Sequence, residues 1–336
     1  LIYVMRLQSI SWTKLKIDLL RQSVAGSIPP GIPHPPDCPP HWGSIFDCCQ
    51  IVTTGEVLSI ISKIQPKSSP VDFIPTSVIK KCPLTFSAII TRLANLSFSE
   101  GKFPTTFKSA SVTPLLKKPG SDPDNLANYR PISNLNNISK ILERLFLARL
   151  LPHVTASPNF NQLQSAYRPL HSTETSLLFT LNNVYRASDS GKPTALVALD
   201  LSAAFDTIDH GILLNRLNIS FGVSGHVWLW LQSYLSDRSQ QVSIAGQSSP
   251  PTKCTVGVPQ GSVLGPLLFS LYIAPVGHLI STQGIMHQQY ADDTQLYIEL
   301  ASSDPQNAIQ KLENCMSKLY LWFCLNGLAL NPGKSE

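Results

Sequence analysis

Charged residues are scarce in this sequence, and the usual cysteine patterns are absent. Asp, Glu, Lys and Arg make up 14% of the 336 residues, against about 25% in a typical domain, and the formal net charge is +5. None of the seven cysteines forms a C-x-x-C pair, so neither a zinc ribbon nor a disulfide framework is indicated. No uninterrupted apolar run approaches the ~18 residues of a membrane helix, and no signal peptide is evident. These absences favour a protein that is not secreted, lies in a reducing compartment and has no membrane partner.

Proline is concentrated near the start of the chain, with seven prolines within residues 28–40. Proline at this density blocks both helices and strand ladders, so we predict a proline-rich linker or a disordered tail over residues 1–43. A short helix is predicted before it, over residues 12–22. Because the sequence starts at Leu1 and stops at Glu336, we expect a piece of a longer protein, with another domain before the linker.

Residues 44–336 have the mixed pattern of an α+β fold. Apolar residues at helical spacing predict helices that begin near residues 54, 84, 139, 172, 210, 227, 262 and 307. β-type runs predict strands at 110–116, 194–199, 241–244 and 254–258, and a hairpin at 289–300. The continuous apolar run 194–199 is interpreted as a strand buried on both faces. The order of elements predicts a ferredoxin-like antiparallel sheet packed on helices.

Three aspartates stand where apolar or strand-like runs end. Asp200 follows the strand at 194–199, and Asp292 and Asp293 are adjacent in the turn of the predicted hairpin. Half-buried carboxylates are unfavourable without a cation, and adjacent carboxylates repel each other, so a divalent ion would compensate them. Such oxygen ligands suit Mg²⁺, and two ions about 3.5–4 Å apart could be held if Asp200 and Asp292 face each other. An Asp-Asp pair is also ordinary turn chemistry, so these residues alone leave both interpretations open.

Short motifs surround these aspartates. Residues 198–206 read ALDLSAAFD, residues 257–266 read GVPQGSVLGP and residues 290–293 read YADD. Upstream lie VTPLLKK at 112–118, YRPIS at 129–133 and QSAYRP at 164–169, and downstream lie Trp322 and the segment 326–334. Together, in this order, they resemble the motifs of reverse transcriptases of the non-LTR (LINE-type) retrotransposon branch, over roughly residues 45–336. Ala166 departs from the pattern, because the family more often has glycine there.

The resemblance implies the fold of a right-hand polymerase. Residues 44–193 would form a fingers-like region with N-terminal helices, residues 194–336 would form the palm, and the thumb would be absent. The implied function is RNA-directed DNA polymerase, which extends a DNA primer on an RNA template with dNTPs and acts in the nucleus or cytoplasm. Without the thumb, the isolated chain is expected to be weakly active or inactive.

The resemblance also implies a role for each residue that matches a motif. Asp200 and Asp292 would be the main ligands of two Mg²⁺ ions, or of Mn²⁺, with Asp293 in support and the Leu201 carbonyl as a further ligand. Lys334 would donate a proton to the departing pyrophosphate.

Further residues would bind the substrates. Lys117 and Arg130 would grip the triphosphate, and Gln260 and Gly261 would contact the templating base pair and the nucleotide. Phe205 would exclude a ribose 2′-hydroxyl, and Tyr290 would lie by the primer terminus. Simpler interpretations stay open for three residues: a solvated charge for Lys117, a core side chain for Phe205 and an ordinary strand aromatic for Tyr290.

Two rival functions remain. An RNA-dependent RNA polymerase would share the aspartates, but Phe205 and the Gln260-Gly261 pair argue against it. A decayed or co-opted remnant would bind nucleic acid without catalysis, and the intact Asp200, Asp292 and Asp293 argue against decay.

Overall fold

The computed structural model describes residues 37–41, 43–125, 128–244, 246–300 and 304–335. The predicted helix at 12–22 and most of the proline-rich segment lie outside the described residues.

The chain divides into two compact units, each assembled from separated segments. Unit 1 is built mainly from Asn161–Thr207 and Tyr272–Glu336, and unit 2 from Pro40–Phe160 and Ile208–Leu271. The predicted division at residue 194 is contiguous in sequence, whereas the units are not. The assignment of fingers and palm to parts of the chain therefore stays a prediction.

The helices of the described chain are α1 (Thr54–Lys63), α2 (Thr76–Lys81), α3 (Pro83–Ser99), α4 (Asn137–Ala156), α5 (Thr173–Asp189), α6 (His210–Phe221), α7 (Gly225–Leu235), α8 (Gly265–Thr282) and α9 (Pro305–Leu325). Several begin where the sequence supplies a polar cap. Asn136 accepts from the N–H groups of Ile138 and Ser139 at the start of α4, and Asp209 accepts from Ile212 N–H at the start of α6.

The strands are β1 (Ser109–Leu116), β2 (Tyr129–Asn134), β3 (Thr194–Leu199), β4 (Leu201–Ser202), β5 (Arg238–Ile244), β6 (Gln247–Ser248), β7 (Thr252–Cys254), β8 (Met286–Tyr290), β9 (Asp293–Glu299) and β10 (Ala329–Leu330). In unit 2 the strand order is β2-β1-β5-β6, and β7 also pairs with β5. Strand β1 runs antiparallel to β2 and parallel to β5, so this sheet is mixed.

An aromatic cluster forms the core of unit 2. Trp230 on α7 is fully buried and stacks on Phe146 of α4, with their ring centroids 3.9 Å apart. Phe98 and Phe103 meet the same indole edge to face. Because such rings bury a large apolar area, they hold α3, α4 and α7 together.

Unit 1 contains an antiparallel sheet of strand order β3-β9-β8, and β10 pairs with β4. Helix α9 buries one face, which includes Leu319, Trp322 and Phe323, and it ends at an Asn326-Gly327 turn as predicted. The described chain is therefore a mixed α+β fold, as the sequence predicted. The ferredoxin-like palm stays a prediction.

Three predictions about single elements are wrong. Strand β3 is not buried on both faces: Leu196 is 50% exposed, because successive side chains alternate between faces and only the face with Ala195, Val197 and Leu199 is packed in the core. The strand expected at 254–258 is instead Thr252–Cys254, where it pairs with β5.

The third error concerns α8, expected at residues 262–273. The helix begins later and continues through Pro275 to Thr282. Among the described helices, α8 has the length and apolarity of a membrane span, with a mean hydropathy of 1.2, although no such run was expected. Of the 18 residues of this helix, 78% are buried inside the protein, as in a core helix.

Candidate active site

The strand register of unit 1 brings the three aspartates to one end of its sheet. Leu199 of β3 pairs with Thr294 of β9, so the next positions in this register are Asp200 and Asp293. On the other side of β9, Asp293 pairs with Tyr290, which leaves Ala291 and Asp292 as the two turn residues of the β8–β9 hairpin. A residue from the middle of the chain thereby meets two from near its end.

The electrostatics of this end of the sheet show that the carboxylates are neighbours. Burial raises the pKa of Asp293, and the nearby charges of Asp292 and Asp200 raise it further, while Lys334 opposes the shift. Lys334 Nζ lies 3.5 Å from Asp200 Oδ2. That oxygen is buried and has no hydrogen-bond partner among the described residues. The site is therefore crowded with negative charge that one exposed lysine offsets in part.

The segment after α9 folds back over Asp200. Strand β10 pairs with β4 so that Leu330 lies opposite Leu201. Asn331 N–H donates to the Asp200 carbonyl at 2.8 Å, and Asp200 N–H donates to Ser335 Oγ at 3.3 Å. These backbone contacts place Lys334 and Leu201 beside the acidic group.

The donor set at this site fits a hard divalent cation. The described residues include no group of three or more His, Cys, Asp or Glu side chains already placed around a common metal position. The carboxylates nevertheless supply the oxygen ligands that Mg²⁺ prefers, and the buried Oδ2 of Asp200 accepts no hydrogen bond among the described residues, although it is ion-paired with Lys334. Burial, and then repulsion from Asp292 and Asp200, raises the pKa of Asp293, and a bound cation would favour its charged form.

The turn that carries Asp292 has an unusual backbone, held by Gln164, a residue for which no role was predicted. Ala291 has φ +55°, a region that residues other than glycine rarely occupy. The buried side chain of Gln164 accepts from Ala291 N–H at 2.9 Å and donates to the Ala291 carbonyl at 3.0 Å. Gln164 opens the motif at 164–169, which is the signal that could have drawn attention to it.

Two predicted substrate residues also lie in unit 1. Phe205 is half-buried in the turn after β4, and Tyr290 is half-buried at the end of β8. Tyr167 was missed: its pKa is raised by burial and by nearby Asp292 and Tyr290, so its half-exposed ring lies beside the acidic turn. The predicted roles of Phe205 and Tyr290 stay predictions.

In unit 2 two predicted phosphate-binding cations lie near the same end of the β1–β2 ladder. Leu115 pairs with Arg130, and the ladder ends one residue later, at Leu116. Lys117 directly follows β1, and its N–H donates to the Asn128 carbonyl at 2.8 Å. Lys117 and Arg130 are both exposed.

The loop with Gln260 and Gly261 is fixed to β2. Ser133 N–H donates to the Gln260 carbonyl at 2.8 Å. Gly261 has φ +121°, and a Cβ there would lie 2.6 Å from the Ser133 carbonyl oxygen. Only glycine permits this close approach. The packing of this loop against β2 therefore explains why position 261 is a glycine. Its predicted contact with a nucleotide stays a prediction.

Glu143 is a second residue for which no role was predicted. It is fully buried on α4, and its Oε2 accepts from the N–H groups of Val263 and Leu264 and from Tyr234 Oη. These contacts fix the segment between the Gln260-Gly261 loop and α8. A carboxylate among the inward-facing apolar positions of α4 is the signal that could have revealed it.

The structure thus gathers the predicted site residues in two groups. Unit 1 holds Asp200, Leu201, Phe205, Tyr290, Asp292, Asp293 and Lys334, and unit 2 holds Lys117, Arg130, Gln260 and Gly261.

Comparison with known proteins gives consistent matches. Residues 116–336 match the family model described as reverse transcriptase (RNA-dependent DNA polymerase). The RNA-directed DNA polymerase from mobile element jockey of Drosophila melanogaster is 32% identical over 72% of this chain and 27% of its own length. The probable RNA-directed DNA polymerase from transposon BS of the same species is 30% identical over 83% of this chain and 31% of its own length. A Pol polyprotein from type-1 retrotransposable element R2 of Popillia japonica is 30% identical over 75% of this chain and 36% of its own length. The chain thus spans roughly a third of the length of these relatives.

Proposed function

Because the chain belongs to the reverse transcriptase family, in its non-LTR retrotransposon branch, we propose that it is the RNA-directed DNA polymerase part of a retrotransposon protein. In this proposal it joins dNTPs to a DNA primer on an RNA template. The observation that carries the proposal is the convergence of Asp200, Asp292 and Asp293 at one end of the unit 1 sheet.

We assign the binding of two Mg²⁺ ions to Asp200, Asp292 and Asp293, with the Leu201 carbonyl as a further oxygen ligand. When bound, the ions would activate the primer 3′-hydroxyl and neutralise charge on the triphosphate and the leaving pyrophosphate. Two observations support this assignment: the buried Oδ2 of Asp200 accepts no hydrogen bond among the described residues, and burial, together with the nearby charges of Asp292 and Asp200, raises the pKa of Asp293.

The remaining residues bind and orient the substrates. Lys117 and Arg130, near the same end of the β1–β2 ladder, grip the incoming triphosphate, and the guanidinium can do so bidentately. Gln260 and Gly261 contact the templating base pair and the nucleotide. In this proposal the acidic site belongs to a palm and the β1–β2 hairpin to fingers.

The half-buried aromatic residues determine which substrate is accepted. Phe205 excludes a 2′-hydroxyl by its bulk and so selects deoxynucleotides, while Tyr290 lies against the primer end. Lys334, beside Asp200, holds the proton that the departing pyrophosphate takes up.

One observation favours a second candidate, a remnant that binds nucleic acid without catalysis. Lys334 pairs with Asp200, and the described carboxylates are not already gathered around a metal position. Primer extension on an RNA template with Mg²⁺ separates the two functions. If the chain is a reverse transcriptase, it should incorporate dNTPs and reject ribonucleotides. Asp292→Ala should abolish this incorporation. Template binding without any extension would support the remnant, and extension that survives Asp292→Ala would contradict the proposed site.

A further inference from the structure

The side chain of Gln164 forms a two-point clamp on the backbone of one turn residue. Its Oε1 accepts from Ala291 N–H at 2.9 Å, and its Nε2 donates to the Ala291 carbonyl at 3.0 Å. The same Oε1 accepts from Ala166 N–H at 3.1 Å. Gln164 is 1% exposed, so water does not compete for these bonds. The clamp is therefore satisfied within unit 1.

The residue that is clamped has a strained backbone. Ala291 has φ +55° and is 7% exposed, although its Cβ disfavours this region. It is the first of two residues in the β8–β9 turn, and the second is Asp292. The conformation of Ala291 therefore sets the direction in which the chain enters Asp292. Strain of this kind persists only where surrounding contacts hold it in place.

Gln164 is itself held rigidly against β8. Ser165 N–H donates to the Gln289 carbonyl, and Gln289 N–H donates to the Leu163 carbonyl, both at 2.9 Å. Gln164 and Gln289 thus form a parallel β-bridge. Gln288 Nε2 adds a bond to Ser165 Oγ at 2.6 Å. The clamp is built on a segment with a fixed register relative to the strand that leads into the turn.

We propose that Gln164 is a positioning residue of the polymerase site, which holds Ala291 in the left-handed region and so keeps Asp292 directed toward a cation shared with Asp200. The inference rests on the proposed function. Gln164 touches neither substrate nor metal in this scheme, and it acts through the backbone of Ala291.

The decisive variant is Gln164→Met, which keeps the side-chain length but removes both hydrogen bonds to Ala291. Gln288→Met is the matched control, because Gln288 is also buried in unit 1 and bonded through its amide, but not to the turn. Both variants should lower the melting temperature. We expect only Gln164→Met to speed hydrogen exchange of the Ala291 amide, by tenfold or more, and to weaken binding of Mn²⁺, added alone and followed by electron paramagnetic resonance, about tenfold.

Ala291→Gly supplies a rescue. Glycine adopts φ +55° without a clamp, so the double variant Gln164→Met/Ala291→Gly should recover Mn²⁺ affinity relative to Gln164→Met alone. A merely structural role would not produce this recovery.

The two hypotheses fail in different ways. A wild-type protein that binds Mn²⁺ but extends no primer contradicts the proposed function and leaves the clamp supported if Gln164→Met weakens binding. Equal effects of Gln164→Met and Gln288→Met on Mn²⁺ affinity and amide exchange overturn the clamp. A wild-type protein that binds no Mn²⁺ overturns both.

Discussion

Lys334 and Asp200 form an ion pair, with Nζ 3.5 Å from Oδ2, that joins the segment after β10 to the end of β3. The lysine side chain is 64% exposed and the aspartate side chain 22%, so water screens the pair. Exposed pairs of this kind contribute about 0–1 kcal/mol to stability. The effect of Lys334 is therefore expected on the charge of the acidic site rather than on folding.

Replacement of Lys334 should separate activity from stability. Lys334→Ala should change the melting temperature little, while primer extension falls about 10²-fold if the ammonium group supplies a proton in the reaction. Lys334→Arg is the control that keeps the charge but holds its proton too tightly to donate it. Single-turnover extension rates for both variants provide the measurement, and an unchanged rate in Lys334→Ala would remove the proposed role.

Gly261 offers a test of close backbone approach. Gly261→Ala should lower the free energy of unfolding by about 3 kcal/mol, because the new Cβ would lie 2.6 Å from the Ser133 carbonyl oxygen. Gly120→Ala is the matched control: Gly120 also has a positive φ, of +81°, but its added Cβ would meet no atom within 4 Å. That change should cost about 1 kcal/mol. Urea denaturation of both variants measures these losses in the free energy of unfolding. Equal losses would contradict a steric effect of the Ser133 carbonyl and attribute both to backbone strain.

Glu143 should be intolerant even of a conservative change. Glu143→Gln keeps one oxygen for the N–H groups of Val263 and Leu264, but its NH2 then replaces the Oε1 that accepts from Ser139 Oγ, so that acceptor is lost and the remaining bonds are no longer made to a carboxylate. We expect a loss of about 2–4 kcal/mol in the free energy of unfolding. Glu56→Gln is the control, because that carboxylate is 41% exposed and should lose under about 1 kcal/mol. If Glu143→Gln were as stable as Glu56→Gln, the hydrogen bonds of Glu143 would not contribute to stability as proposed.

His287 predicts a dependence of stability on pH. Burial lowers its pKa from 6.5 to about 4, so the folded state favours the neutral ring. Its contribution is fully present above pH 6.5 and is lost as the pH falls from 6.5 to about 4, because the unfolded chain takes up the proton first. The resulting loss in the free energy of unfolding is at most about 3 kcal/mol.

His287→Gln should flatten the unfolding free energy across that window, whereas His278→Gln, at an exposed position on α8, should not. Chemical denaturation at several pH values measures this difference. Identical curves for wild-type protein and His287→Gln would contradict the assignment.

The sequence predicted those elements whose pattern is local. Helices α1, α3, α4 and α9 and the β8–β9 hairpin follow from apolar spacing and from turn residues within each segment. Strand β2 was interpreted only as a motif before α4, because Pro131, with Asn128 before the strand and Asn134 at its end, obscures its strand character. The two-residue strands β4 and β10 exist only through their mutual pairing, which no local pattern encodes.

The same distinction applies to the site. The aspartates were found because residue type and motif mark them, and the structure places them at one end of a sheet, although their roles stay predictions. Gln164 and Glu143 were missed because they bond backbone groups more than a hundred positions away. The motif that begins at Gln164 and the position of Glu143 among apolar residues of α4 mark these two side chains, but no local pattern identifies their distant main-chain partners.

The interleaving of the two units has a consequence for biosynthesis. Asn161–Thr207 emerges from the ribosome well before Tyr272–Glu336, and the whole of Ile208–Leu271 is translated between them. Strand β3 must therefore wait with the backbone N–H and C=O groups of this edge unpaired until β9 arrives, a period in which chaperones or aggregation compete for it. Premature termination anywhere before residue 292 would leave Asp200 without Asp292 and Asp293, so the acidic site could not form in such truncated translation products.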